Sequence, residues 1–162
     1  MKRKLIVDGF NVIHHLDKYK KFLPNDLDSA INLFIEDLVG LSGTSGEEIC
    51  VVFDGVSKST RSVADVEIIF TDKGKTADAI IERLSFSEDY DDVAVVTADY
   101  QEQKVVFRSN VKRMAPRELG DKLGQSRDEI NEEKGVKKRV FLEDTLPDEV
   151  REKLEKMRRG LL

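Results

Sequence analysis

Three apolar runs in this chain each end on an aspartate: Leu5 to Val7 run into Asp8, Ile49 to Phe53 into Asp54, and Val93 to Ala98 into Asp99. A single aspartate after a strand reads most simply as a cap for the next helix. Three invite a second reading, because the carboxyl ends of parallel strands share one edge and ligands bind in the crevice there. A fourth carboxylate, Asp78, falls in the first turn of the helix that "KGKTADAIIERL" encodes, where the positive end of the helix dipole tolerates it. Four carboxylates close together repel unless something neutralises them. A hard divalent cation does so, and Mg²⁺ or Mn²⁺ takes oxygen ligands without help from His or Cys. The pattern therefore reads as an acidic metal site or as a set of caps, and by itself it names no reaction.

Polar companions surround these positions. Asn11, three residues after Asp8, and Thr97, two before Asp99, are placed to hydrogen-bond a carboxylate, a metal-bound water or a phosphate oxygen, or to serve as turn and strand polar residues. Thr76 is a candidate helix cap, and Lys73 and Lys75 flank Gly74 just ahead of Asp78, a position for phosphate contacts at the mouth of a cleft. Glu82, one turn after Asp78, either supports a metal through water or is a surface residue. His14 and His15 are adjacent and so point apart, which reads as surface or helix-start histidine rather than a ligand pair. Tyr19 and Tyr100 are read as partly buried rings, with base stacking as the other use. The remaining basic pairs and runs, at 18–21, 58 and 61, 112–113 and 137–139, are candidate phosphate contacts, each individually an ordinary solvated charge run.

The elements that must position these groups emerge from periodicity. "KLIVD", "EEICVVF", "VEIIF", "VAVVTA" and "VKRMA" are short, nearly continuous apolar runs, the mark of strands covered on both faces. Between the first two, Leu27, Ile31, Phe34, Leu38 and Leu41 recur every three or four residues, which predicts an amphipathic helix capped by Asn25 or Asp26 and ended by Gly43. "GVSKSTRSVAD" reads as a loop. Ala77, Ile80, Ile81 and Leu84 form the buried stripe of the helix carrying Asp78. "YQEQKVVFRS" reads as a short helix and the segment opened by Pro116 as a polar one. Strands alternating with helices predict an α/β fold with a central, mainly parallel sheet of about five strands. Residues 1–136 form the expected domain, and 137–162 a C-terminal helical extension with Pro147 near its helix start.

The totals agree. At 162 residues, 40% hydrophobic, the chain can bury a substantial single core. A net charge of −5 argues against a protein held to nucleic acid by bulk positive charge. The one cysteine, Cys50, lies inside "ICVVF" and reads as a small buried hydrophobe, so neither an intramolecular disulfide nor a Cys-rich zinc site is expected. Three apolar residues before Asp8 are too few for a signal peptide, and no run reaches transmembrane length, so the expectation is a cytoplasmic protein with no membrane partner.

"VDGFNVI", "VVFDG", "EIIFTDKGKTADAIIE", "VVTADYQEQKVVF" and "VKRMAPREL", in this order and spacing over residues 4 to 120, resemble the YacP-like NYN domains of the PIN-like nuclease superfamily. The resemblance implies a three-layer PIN-like fold and a metal-dependent RNA endonuclease. The family's acidic residues fall on Asp8, Asp54, Asp78 and Asp99, and its polar companions on Asn11 and Thr97, with Thr76 and Glu82 nearby. Phe10, Ala98 and Gly55 depart from the usual Tyr, Ser and Ala, and none of these changes removes a carboxylate. The implied chemistry is in-line attack of a metal-activated water on the phosphodiester, leaving a 5′-phosphate and a 3′-hydroxyl. Similarity to a bacterial endonuclease of ribosome-engaged messenger implies mRNA as substrate and the ribosome as partner. Two other classes stand beside this one. A receiver-like phosphoacceptor would use Asp54 as its phosphorylated residue but lacks a second acid beside Asp8, and a non-catalytic RNA-binding module would have no use for all four carboxylates.

Overall fold

The computed structural model describes residues 1–55, 58–72, 77–87, 89–98 and 111–145, the side chains of 78 and 135–145 excepted. The chain divides into two compact units, Met1–Arg127 and Asp128–Leu162. The first holds β1 (Arg3–Asp8), α1 (Gly9–His15), α2 (Asp17–Lys20), α3 (Leu27–Ser45), β2 (Glu48–Phe53), β3 (Ser59–Val63), β4 (Val66–Phe70), α4 (Ala77–Ser85), β5 (Asp92–Val96) and β6 (Val111–Met114). A further helix, α5 (Pro116–Thr145), begins in the first unit and supplies the described part of the second. The short helix expected from "YQEQKVVFRS" and the one near Pro147 lie outside the described residues.

One six-stranded sheet runs β3-β4-β2-β1-β5-β6. β1 pairs in parallel with β2 and β5, β2 with β4, and β5 with β6, so the five strands expected from their apolar runs form the parallel part. The sixth corrects the reading of "GVSKSTRSVAD" as a loop. Its residues Ser59–Val63 form an antiparallel edge strand on β4. Exposed along its whole length and polar from Ser59 to Ser62, β3 has Val63 as its one apolar residue and so no apolar alternation to betray it. Cross-strand backbone bonds hold it, and its charge and hydroxyls suit an edge that must not recruit another chain.

Alternation sends side chains to two cores. Leu5, Val7, Ile49, Val51 and Phe53 face α1, α3 and the start of α5, meeting Phe34, Leu38 and Leu119. Ile6, Cys50, Val52, Val93 and Val95 face the other way, onto Ala77 and Ile81 of α4. Burial on both faces explains why β1 and β2 read as unbroken apolar runs. Asp26 caps α3, its carboxylate accepting the Ser29 N–H at 3.2 Å. The helix passes through Gly43 and ends at Gly46, whose φ of 71° is the left-handed conformation that glycine adopts without a side-chain clash. Gly43 therefore does not end it: with no demand for a positive φ, one glycine weakens a helix without stopping it.

No helix among the described residues is long and apolar enough to cross a membrane.

Candidate functional site

The sheet register sets the site. Asp8, the last residue of β1, pairs with Val52, while Val7 pairs with Val96. Thr97, one residue past Val96, therefore stands level with Asp8 on the β5 side. On the β2 side Asp54 lies two residues past Val52, about 6.6 Å further along an extended chain. Asp8 continues the row of Ile6, Thr97 that of Val93 and Val95, and Asp54 that of Cys50 and Val52, so all three belong to the α4 face of the sheet. β4 ends at this carboxyl edge and β5 begins at the opposite one, so α4 between them runs back across the sheet and opens beside the three. Asp78 is in that opening turn.

Local structure leaves Asp8 directed to this edge. It occupies the N-cap position of α1, yet its side chain makes no capping hydrogen bond. The next residue must be glycine, because a Cβ at Gly9 would sit 2.3 Å from Cε1 of Phe53, whose ring packs beneath the turn. Just past the end of β4, Thr71 is buried at 2% exposure; its N–H donates to the Phe53 carbonyl at 2.9 Å and its Oγ1 accepts the Gly55 N–H at 3.3 Å. Thr71 thereby pins the turn after Asp54. Gly55 has a φ of 76°, a left-handed conformation that glycine adopts without a side-chain clash. Thr71 escaped the sequence reading, although "IIFTD" matches "VVTAD" in setting a threonine between an apolar strand and an aspartate.

Asn11 and Thr97 are both brought to the edge. The Asn11 Oδ1 accepts the Ala98 N–H at 2.8 Å, tying α1 to the segment that leads into Asp99. Thr97 is 1% exposed and its N–H donates to the Met114 carbonyl at 3.2 Å, extending the β5–β6 ladder. Asp8 is half-buried, and Asp54 is exposed. The structure thus unites Asp8, Asp54, Asn11 and Thr97, with the backbone of Asp78 close by topology. Asp99, Thr76, Lys73 and Lys75 lie outside the described residues, as does the Asp78 side chain. Among the described residues no group of three or more His, Cys, Asp and Glu side chains is gathered tightly enough to hold a metal.

Other candidates resolve to structural roles. His14 and His15 are exposed in the last turn of α1, where the His15 Nδ1 donates to the Asn11 carbonyl at 2.7 Å. Tyr19 is 1% exposed, so its ring is not a platform for a base. Its hydroxyl donates to Asp37 at 2.6 Å, and burial first, then that carboxylate, push its pKa far up. Glu82 is exposed on α4, and Tyr100 lies outside the described residues.

Known proteins resemble this chain over nearly its whole length. The model of the YacP-like NYN domain family fits residues 5–159. The YacP protein of Bacillus subtilis is 30% identical over 165 residues, which is 96% of each chain. A crystal structure of Rae1 (YacP) from Bacillus subtilis, a tryptophan-to-leucine mutant, superposes with a TM-score of 0.73 at 30% identity over 99% of this chain and 96% of that one. A second crystal structure of Rae1 gives 0.72 at 28% identity, over 96% and 94%. With its mostly parallel sheet, its row of strand-end carboxylates and a match over nearly its whole length, the chain belongs to the YacP-like NYN domain family, a membership that suggests a nuclease-like function.

Proposed function

We propose that this protein is a metal-dependent RNA endonuclease that cuts messenger RNA in association with the ribosome, in the cytoplasm. The observation that carries the proposal is the register: Asp8, Asp54 and Thr97 reach one face of one sheet edge from three adjacent parallel strands, beside the turn that bears Asp78. A receiver-like phosphoacceptor would need a second acid beside Asp8 as well as Asp54, and Val7 and Gly9 stand there instead, whereas phosphodiester hydrolysis uses several carboxylates.

The donors at this edge fit Mg²⁺ or Mn²⁺, being hard carboxylate oxygens on side chains that no imidazole or thiol of the described residues accompanies. Asp8, Asp54, Asp78 and Asp99 would hold the ion. Bound there, it supplies Lewis-acid polarisation of the scissile phosphate and a water acidic enough to attack at neutral pH. The chain's own part is positional. Gly9 and Phe53 fix the turn that presents Asp8, Thr71 fixes the turn that presents Asp54, and Asn11 holds the approach to Asp99 against α1. Lys73 and Lys75, flanking Gly74 ahead of α4, are proposed phosphate contacts, with Thr76 the cap of that helix.

An acidic protein binds free RNA weakly through bulk charge, so delivery by a large partner complements this site. The test uses 5′-labelled single-stranded RNA with Mn²⁺ or with EDTA, and the same message engaged by translating ribosomes. Wild-type protein is expected to cut only with the metal, to leave 5′-phosphate ends, and to cut faster on ribosomes. Metal-independent cleavage with 2′,3′-cyclic ends would sink the mechanism; equal rates on naked and ribosome-engaged message would sink the partner.

A further inference from the structure

Next to the row of carboxylates, between α4 and the β3–β4 edge, lies a cavity of about 670 Å³. This is within the ~300–1,000 Å³ of ordinary ligand sites. Ile69 of β4 and, from α4, Ile80 and Leu84 give it an apolar patch. Two exposed cations, Lys58 and Arg83, line it, and among the described residues neither is in an ion pair. Thr60 of β3 adds a hydroxyl. The cavity's acids are Glu67 and Asp72, and the Asp72 Oδ1 is engaged by the backbone N–H of Lys58 at 3.0 Å.

Continuity with the candidate site gives this cavity its meaning. Thr71 lines it and also accepts the N–H of Gly55, the residue after Asp54. The cavity therefore starts where the carboxylate row ends. Arg83 lies five residues beyond Asp78 on α4, about 7.5 Å along the helix, so the groove leads from the edge back along the sheet.

We propose that this groove holds the single-stranded RNA leaving the cleavage point, with a base lying on Ile69, Ile80 and Leu84 and the backbone phosphates met by Lys58 and Arg83. The proposal rests on the nuclease reading above and adds to it the path of the substrate. An apolar patch flanked by such cations suits a nucleotide, which presents a flat apolar base and a charged phosphate on one unit. A duplex cannot use the groove, since its bases are already stacked and paired. β3, polar and exposed where an ordinary edge would simply be short, then serves as the outer bank of a binding channel.

The experiment measures binding and cleavage separately on the full chain. Fluorescence anisotropy of a labelled single-stranded RNA in EDTA reads affinity with cleavage off; steady-state cleavage in Mn²⁺ reads kcat and KM. Lys58→Ala with Arg83→Ala is expected to weaken binding about tenfold, to raise KM with kcat held within about twofold, and to lower the salt slope of log affinity by about 1.4, at ~0.7 per lost phosphate contact. Ile80→Ser tests the base platform and should weaken single-stranded binding several-fold while duplex binding does not change. Lys2→Ala, a cation at the opposite edge of the sheet, controls for loss of charge alone, and thermal melts show that each variant is folded. Groove variants that bind and cut as wild type, or that lose no more than Lys2→Ala, overturn the proposal. Absence of any Mn²⁺-dependent cleavage by the wild-type protein instead sinks the nuclease reading, and the EDTA binding data then still decide whether RNA occupies the groove.

Discussion

Asp8 and Asp26 hold the same position in the fold, the N-cap of a helix, and use it differently. Asp26 turns its carboxylate onto the first turn of α3, taking the Ser29 N–H and, at 2.7 Å, the Ser29 hydroxyl. Asp8 makes no such bond to α1, and β1 instead aims it along the α4 face with Asp54 and Thr97. Asp37 is a third case. It is compensated from within the chain by Lys18 at 2.6 Å, Arg127 at 3.4 Å and the Tyr19 hydroxyl. A carboxylate committed to structure is visible by its local partners, and one at the strand-end edge by its place in a row.

Substitution at Asp8 should break this comparison most sharply. Asp8→Asn keeps the shape and removes the charge, so metal-dependent cleavage is expected to fall a hundredfold or more, at least about 2.7 kcal/mol of transition-state stabilisation. Its melting temperature in EDTA is expected to show no loss of the size that a missing helix cap causes, since Asp8 makes no cap bond to α1. Cleavage within a factor of three of wild type would make Asp8 an ordinary strand-end residue.

Asp37→Ala is the reverse case. It strips the buried Tyr19 hydroxyl of its acceptor and leaves Lys18 unpaired, and a loss of about 3 kcal/mol is expected. Arg127, more exposed, contributes little. Tyr19→Phe, which leaves Asp37 its two cations, should cost about 1 kcal/mol. Urea titrations measure both, and cleavage rates below the transition should be unaltered. A large loss of rate in a folded Asp37→Ala protein would mean that the network reaches the site.

Asp26→Ala completes the set at a smaller size, with about 1 kcal/mol lost as the cap disappears and no change in cleavage. Together these variants test whether position in a row, rather than helix-start position, marks function.

How far the sequence shows this depends on the element. β1 and β2 declare themselves because both their faces are buried, β4 and β5 because their runs are almost wholly apolar, and the three carboxylate-ended runs locate the edge from residue types and order alone. β3 is invisible, since an exposed edge strand of Ser, Thr, Arg and a single Val has the composition of a loop and is held by backbone bonds that no residue type encodes. Gly43 against Gly46 fails for a related reason: only the conformation, not the residue type, tells a helix-ending glycine from a helical one. Asn11 is legible as a polar neighbour of Asp8. That its oxygen is bound to Ala98 is a contact across 87 residues of sequence, which spacing cannot supply. Thr71 needs the register of β4 on β2 to be seen at all.

The smallest expected effect concerns the row that ends at Asp54. Cys50, Val52 and Asp54 share one face of β2, and the ionisable groups at its two ends sit in opposite surroundings, Asp54 exposed and Cys50 1% exposed. Burial first, then the nearby Glu67 carboxylate, pushes the Cys50 thiol up to about 12 from an ordinary value of 9.0. The sign comes from proton counting. Between about pH 9 and 12 the unfolded chain releases this proton while the folded chain retains it, so unfolding is favoured progressively as pH rises and stability falls. Below pH 9 both states hold the proton and the contribution is constant. Cys50→Ala should therefore lower the melting temperature by a few degrees at pH 7, through lost packing, and yet show a shallower decline from pH 9 to 10.5 than wild type. Tyr19, also held protonated by its surroundings, continues to contribute above about pH 10, so the slope is reduced rather than abolished. Thermal melts in reductant at half-unit pH steps measure the difference. Parallel alkaline limbs for the two proteins would show that the thiol at this end of the row is as free to ionise as in the unfolded chain, and the contrast along β2 would be lost.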